Sequence, residues 1–372
     1  NVPLKDKVIK DYTRIDLCLP FIKRLIEKKA KIIIISHLGR PKENKDPTLS
    51  LMPIYKYFKK TLQTNVYFFM GNFDNEVKDK FSHLKEGEII LVENIRYFRE
   101  EIEDDDSFAK KLGSLGDIFI NDAFSCSHRK QASIHKITKY VDKSYGGPLL
   151  KKEIEAINLV IQNKKEPVTC IIGGSKISTK INVITSLIKK VNNLIIVGAM
   201  ANNFLAFKGF EVGKSLIEND SEKIIDSIYK DAKKHGCNIF IPEDCKVSDT
   251  FDGGGKTKKQ DSVDKNDMIL DIGPKTIKNI EDIIDQSNTV LWNGPAGYFE
   301  NEIFLTGTLA LAKKISLNTA KKSLISVLGG GDTISAINKS KETFSFTHLS
   351  TAGGAFLEFL EGKDLPGLSV LK

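Results

Sequence analysis

Lys31-Ile32-Ile33-Ile34-Ile35-Ser36-His37-Leu38-Gly39-Arg40-Pro41 is an apolar run that stops at a loop of histidine, glycine, arginine and proline. A strand with one wet face alternates apolar and polar residues. This run is apolar at successive positions, the pattern of a strand buried on both faces of a parallel sheet. Similar short runs occupy residues 88–92, 117–120, 168–172, 193–197, 238–241, 289–292 and 324–328, with helical periodicity at 15–28, 177–190 and 221–235. The alternation predicts an α/β fold built from doubly wound, Rossmann-like parallel sheets. With 372 residues the chain is too long for one ordinary core, so two domains are expected. Gly146-Gly147-Pro148, followed by a helical stretch, marks the boundary. It divides the chain into an N-terminal domain (1–148), an interdomain helix (149–163) and a C-terminal domain (164–349).

Open α/β sheets bind ligands at the carboxyl ends of their strands, which directs attention to the loops. After the second strand comes Glu93-Asn94-Ile95-Arg96-Tyr97-Phe98, and after the third Asn121-Asp122-Ala123-Phe124 leads to Ser127-His128-Arg129. All six arginines (Arg14, Arg24, Arg40, Arg96, Arg99 and Arg129) lie in the first 129 residues, while lysine supplies the other 50 of the 56 basic side chains. A guanidinium grips a phosphate or carboxylate through two parallel hydrogen bonds, which an ammonium cannot do. Arg24 and Arg99 stand beside other charges and read as solvated surface. Arg40, Arg96 and Arg129 each follow a strand-like run, and guanidiniums converging there would repel one another without an anion between them. A phosphorylated carboxylic acid would supply that anion. His37 and His128 read equally as buried or capping imidazoles and as substrate contacts.

The second half is equipped differently. Gly173-Gly174-Ser175-Lys176 follows a strand and is expected to open a helix that carries Lys180 on the same face. Gly329-Gly330-Gly331-Asp332-Thr333 follows another strand and is expected to open a helix near Ile334. Glycines let backbone N–H groups approach phosphate oxygens, and a helix amino terminus adds partial positive charge. Asp332 is suited to hold Mg²⁺ against those phosphates. Two such turns, one with paired lysines and one with an acid, point to a nucleotide polyphosphate. Gly209-Phe210-Glu211-Val212-Gly213-Lys214-Ser215 is a near miss for a P-loop, with three residues between its glycines instead of four. No Gly-x-Gly-x-x-Gly is present at either glycine-rich turn.

Composition excludes other classes. The net charge of +8 comes from lysines interleaved with 48 acidic residues and without an aromatic-basic stripe, so nucleic acid is not the expected partner. Five scattered cysteines lack Cys-x-x-Cys spacing and read as free thiols in a reducing cytoplasm. No apolar run approaches the roughly 18 residues that span a bilayer, and no secretory signal is seen before the first strand. The chain starts at Asn1 without a methionine, so further residues upstream are expected.

Taken in order, several of these segments resemble the signatures of the phosphoglycerate kinases. They are 36–41, 93–98, 121–124 with His128-Arg129, 173–176 with Lys180, Trp292-Asn293-Gly294-Pro295 with Glu300, 329–333, and Ser350-Thr351-Ala352-Gly353-Gly354-Ala355. The resemblance spans the whole chain. It implies a cytoplasmic, monomeric, hinge-bending glycolytic transferase that moves a phosphoryl group reversibly from 1,3-bisphosphoglycerate to ADP, giving 3-phosphoglycerate and ATP with Mg²⁺. Residue by residue, it assigns Asn1, His37, Leu38, Gly39, Arg40, Arg96 and Arg129 to the glycerate substrate. Arg14 would also bind this substrate, reaching its carboxyl end and neutralising the phosphoryl group in flight; Lys176 would follow the transferring group, and Gly331 is the third catalytic position. Lys180, Gly198, Asn293, Pro295, Glu300, Gly330, Gly331, Asp332 and Thr333 would bind the nucleotide, with Asp332 on the metal. Residues 350–372 would return to the first domain. The family's Arg-Val-Asp-Phe segment is absent before Asn1, Val197-Gly198-Ala199 stands for a triple glycine, and Ala352 replaces another glycine. The missing segment leaves open a second reading, a nucleotide-binding protein of the same fold with impaired catalysis.

Overall fold

Continuous apolar strands require cover on both faces, and the chain meets that need twice. A computed structural model describes residues 2–42, 46–73 and 77–371. The chain divides into one unit of residues 1–152 with 364–372 and a second of residues 153–363. The division falls inside the helix Pro148–Ile161, and the segment grouped with the first unit starts at Asp364, later than the expected 350. Residues 350–363 stay with the second unit because His348–Ser350 pairs with its sheet and Leu360 O accepts a 2.9 Å hydrogen bond from Ser186 Oγ.

In the second unit, parallel strands lie in the order Asn238–Phe240, Asn193–Ile196, Val168–Ile172, Thr289–Asn293, Ile325–Gly329 and His348–Ser350. Val168–Ile172 and Thr289–Asn293 are buried at every position, as central strands should be. Trp292, Ile284, Leu311 and Ile315, all fully buried, form part of the core on this sheet. Register, more than burial, decides which loops can meet. Ile172 pairs with Asn293 and Asn293 with Gly329, so three strands end side by side.

In the first unit, Ile89–Val92 lies between Ile32–Ile34 and Val66–Phe69, and Ile118–Asn121 pairs with Lys143–Gly146, all in parallel. Asn121 Nδ2 donates to Ser127 Oγ at 3.1 Å and to Gly367 O at 2.9 Å, fixing the returning segment at that strand's end.

The structure departs from the sequence expectations in several places. The helix expected from 177 begins at Ile181, with Lys180 as its N-cap. Residues 173–180 instead form turns whose backbone groups are taken elsewhere. Gly174 has φ +123°, its carbonyl accepts from Met200 N at 2.8 Å, and Ser178 N donates to Glu218 at 3.0 Å. Lys176 and Lys180 therefore share no helical face. The helix expected near Ile334 begins at Gly331. An antiparallel sheet of Lys256–Lys259, Asp244–Ser248 and Met268–Ile272 was not expected at all. Its edge strand, Lys-Thr-Lys-Lys, has no apolar pattern and is tethered by Lys258 Nζ to Asp264 at 2.5 Å and Asp267 at 2.7 Å.

Gly173 shows how tightly the strand ends approach. A Cβ there would lie 2.1 Å from Pro295 O and 2.8 Å from Gly294 O, backbone atoms that no rotamer change can move. Gly173→Ala is therefore expected to destabilise the second unit by about 3 kcal/mol, at the upper end of overpacking costs. Denaturant unfolding checks this, and a wild-type midpoint would show that the strand ends are not packed in this way.

Candidate active site

The first unit gathers its arginines by local hydrogen bonding. Asn94, fully buried, caps the 3₁₀ turn Ile95–Tyr97 by accepting from Arg96 N at 3.2 Å. The same Oδ1 accepts from Leu38 N at 3.2 Å, and Nδ2 donates to Leu38 O at 2.8 Å and Leu49 O at 2.9 Å. One side chain thus locks the loop after Ile32–Ile34 to the loop after Ile89–Val92. Arg96 is 6% exposed, with Nη1 donating to Gly39 O at 2.8 Å and Nη2 to Gln131 Oε1 at 3.3 Å. Gly39 has φ +62°, and a Cβ on it would strike Leu49 Cδ2 at 2.7 Å.

His37 lies 3.7 Å by Nδ1 from Cys126 Sγ. Burial first, then the charges of Arg96, Arg129 and Arg14, push its pKa down to about 2. The ring is neutral and serves as one donor and one acceptor. Burial, and then neighbouring Arg129, also works against the charge of Arg96. Arg129 Nε donates to His128 Nε2 at 3.3 Å. An anion among these groups would relieve their mutual repulsion. Arg40 is exposed in the loop after Ile32–Ile34, and Arg14 lies in the first turn of Thr13–Glu27. Asn1 lies outside the described residues.

The second unit assembles a different site where its three strands end. Asn293 joins them: Nδ2 donates to Gly329 O at 2.8 Å, Oδ1 accepts from Lys180 Nζ at 2.8 Å, and its carbonyl accepts from Gly173 N at 2.9 Å. Lys180 Nζ also donates to Gly173 O at 2.5 Å. Burial lowers the Lys180 pKa to about 8, against the pull of Cys170 and Asp332. Thr333 Oγ1 accepts from Gly294 N at 2.7 Å and donates to Gly329 O at 3.0 Å, tying the helix Gly331–Asn338 to the loop after Trp292. Gly330 has φ +103° and caps that helix, and the space where a Cβ of Gly331 would stand is empty to 4 Å. Asp332 is exposed in its first turn.

Gly198, at φ +68°, donates to Ala296 O at 3.0 Å, and a Cβ on it would meet Pro295 O at 3.0 Å. Gly198 and Pro295 are thus brought together. Glu300 is exposed, and its carbonyl accepts from Lys339 Nζ at 2.9 Å. Lys176 is also exposed, on the turn that Glu218 holds through Ser178 N and Ser178 Oγ (2.5 Å). Asn94, Gln131 and Glu218 had no role in the sequence reading. Asn94 was visible there only as the polar residue beside Arg96, and the other two become neighbours only through tertiary contacts.

Guanidiniums around a neutral histidine in one unit, and glycine turns with a half-buried lysine in the other, are the equipment that suits a phosphotransferase. The comparisons with known proteins agree. The family model described as Phosphoglycerate kinase matches residues 1–363, so the chain belongs to the phosphoglycerate kinase family. The phosphoglycerate kinase of Wolbachia pipientis wMel is 44% identical, covering 100% of this chain and 94% of the relative. That of Chelativorans sp. is 41% identical with the same coverage. The solved phosphoglycerate kinase of Coxiella burnetii superposes with a TM-score of 0.88 at 38% identity, covering 100% of this chain and 93% of that one. That of Pyrococcus horikoshii OT3 gives 0.82 at 29%, with the same coverage. Among the described residues, no helix is long and apolar enough to cross a membrane.

The electrostatics of His37 can be read directly. Its pKa near 2 keeps the ring neutral across the physiological range, so its NMR resonances are expected to stay flat from about pH 5 to 8, where an ordinary histidine titrates. A midpoint near the ordinary value would mean that the ring is neither buried nor surrounded by arginine.

Proposed function

We propose that the chain catalyses reversible, Mg²⁺-dependent transfer of a phosphoryl group from 1,3-bisphosphoglycerate to ADP, giving 3-phosphoglycerate and ATP, with the acid held by the first unit and the nucleotide by the second. Family membership supports the reaction. The observation that carries the division of labour is the contrast between the two clusters: rigid guanidinium forks about Arg96 and Arg129, and a half-buried ammonium among glycine turns at Lys180.

In this reading Asn1, His37, Leu38, Gly39, Arg40, Arg96 and Arg129 bind the acid's phosphate and carboxylate. Lys180, Asn293, Gly330, Gly331 and Thr333 cradle the nucleotide phosphates. Gly198 and Pro295 flank the base, and Glu300 takes the ribose. Gly330 and Gly331 suit the cradle because one adopts a left-handed φ and the other leaves open space above the helix amino terminus. Asp332 fits Mg²⁺, which characteristically takes one or two carboxylates and fills its other positions with phosphate oxygens and water. When bound, the metal neutralises charge on the phosphates.

No general base is required. The ADP phosphate oxygen in one direction, and the carboxylate of 3-phosphoglycerate in the other, is already an adequate nucleophile, so the chain's own groups act by alignment and charge neutralisation. Arg14 and Lys176 would balance the charge on the phosphoryl group as it passes. Water must be kept from the acyl phosphate, which would otherwise hydrolyse.

A coupled assay of ATP-dependent phosphorylation of 3-phosphoglycerate tests the reading, and nucleotide binding without turnover would sink it. Arg14→Ala is expected to lower kcat by about 100-fold or more while the ATP KM stays near wild type, as for loss of a charge-stabilising group. Lys180→Ala should mainly weaken the nucleotide. Equal losses in both parameters from each variant would contradict this partition.

Lys180 also predicts a pH effect. Its folded pKa of about 8 lies below the ordinary lysine value, so the ammonium is charged below pH 8 and loses its proton as the pH rises through that value. A bound polyphosphate favours the charged form. ATP binding near pH 8.5 should therefore take up a proton, visible as a buffer-dependent calorimetric heat that Lys180→Met abolishes. Heat independent of the buffer in the wild type would remove Lys180 from the nucleotide's contacts.

A further inference from the structure

Glu101 is a carboxylate that the reaction scheme leaves unused, yet it is 1% exposed in the short helix Arg99–Ile102. A carboxylate removed from water persists only where its oxygens are bonded. Ser133 bonds both, with its N–H donating to Oε2 at 2.8 Å and its hydroxyl to Oε1 at 2.7 Å. The Glu101 carbonyl accepts from Ala132 N at 3.0 Å, and Asp104 meets His135 Nδ1 at 2.7 Å. Residues 132–135 are thus fastened at several points to residues 101–104. Gln131, which opens this fastened segment, is 6% exposed and accepts from Arg96 Nη2. The guanidinium therefore has two supports: Gly39 O on one side and Gln131 on the other. The charges are coupled as well. Burial raises the Glu101 pKa to about 7, Ser133 and Arg96 oppose that rise, and Glu101 in turn supports the charge of Arg96.

We propose that Glu101 is a positioning residue for the acid substrate: it fixes the 131–133 backbone so that Gln131 holds the Arg96 guanidinium in the plane that receives the substrate's anionic group. The proposal rests on the assignment of Arg96 to the acid. It predicts an effect confined to one substrate. A general loss of fold would affect both.

The test is steady-state kinetics in both substrates on Glu101→Ala, Glu101→Gln, Gln131→Ala and Glu101→Ala/Gln131→Ala, with Arg96→Lys as the reference and thermal melts for each variant. Glu101→Ala should raise the KM for 3-phosphoglycerate about tenfold, the order lost when a buried hydrogen-bond network is broken. Its ATP KM should stay within about twofold, the margin for independent sites. Glu101→Gln should recover most of the loss, because its amide oxygen can accept from Ser133 N and its NH₂ can donate to Ser133 Oγ. Gln131→Ala should raise the same KM, and the double variant should fall short of the product of the single effects.

A folded Glu101→Ala with an unchanged acid KM, or with equal rises in both KM values, overturns the proposal. If Glu101→Ala does not fold, the comparison of Gln131→Ala with Glu101→Gln decides: a normal acid KM in Gln131→Ala overturns it. If Arg96→Lys itself leaves the acid KM unchanged, the assignment of the acid site has failed, an outcome distinct from failure of Glu101 alone.

Discussion

The second unit depends on the backbone contact between Gly173 and Gly294. Parallel register sets Ile172, Asn293 and Gly329 abreast, and the loops that leave them can turn only if no Cβ stands between them. That steric demand leaves the chain's polar groups facing one another at short range, where they must be satisfied. Asn293 meets the demand with three hydrogen bonds, one to Gly329 and two to the 173–180 stretch. Lys180 enters the same space and is partly desolvated as a result. The lysine's lowered pKa therefore follows from the packing of glycines in another part of the sequence.

The first unit solves a similar problem with different chemistry. Asn94 plays the part of Asn293, joining loops from neighbouring strands, but the charge it positions is a guanidinium. Arginine tolerates burial because its charge is delocalised and its pKa lies far above neutrality. Several arginines can consequently surround one neutral histidine and remain cationic. A lysine in that position would tend to give up its proton, and the cluster would lose the charge that suits it to an anion.

Most of the architecture was legible because parallel strands buried on both faces leave continuous apolar runs. Each of the eight runs read as strands overlaps a strand of the structure. Val66–Phe69 is a further strand, and its Val-Tyr-Phe-Phe carries the same signal. The antiparallel sheet at 244–272 was not legible, because ion pairs and pairing with Asp244–Ser248 hold its lysine-rich edge, and neither leaves an apolar period. The start of the helix at Ile181 is not legible for a related reason. Its upstream backbone is captured by Met200 and Glu218, which are distant in sequence. The charged residues at strand ends could be read from their loops. The residues that hold them, Gln131, Glu101 and Glu218, could not, because they sit on surface-like polar stretches whose burial or bonding is decided by tertiary structure.

The same contrast bears on why one chain carries both kinds of cation. An acyl phosphate and a carboxylate present planar or forked oxygens on a small molecule, and only rigid donors can orient them for in-line transfer. A nucleotide's polyphosphate offers many equivalent oxygens, and backbone N–H groups at glycine turns already supply direction. On the proposed assignment a single ammonium is then sufficient, and its lower pKa is tolerable because bound phosphates would restore its proton. On that assignment, orientation is built into the arginines of the first unit, and in the second it is built into the backbone.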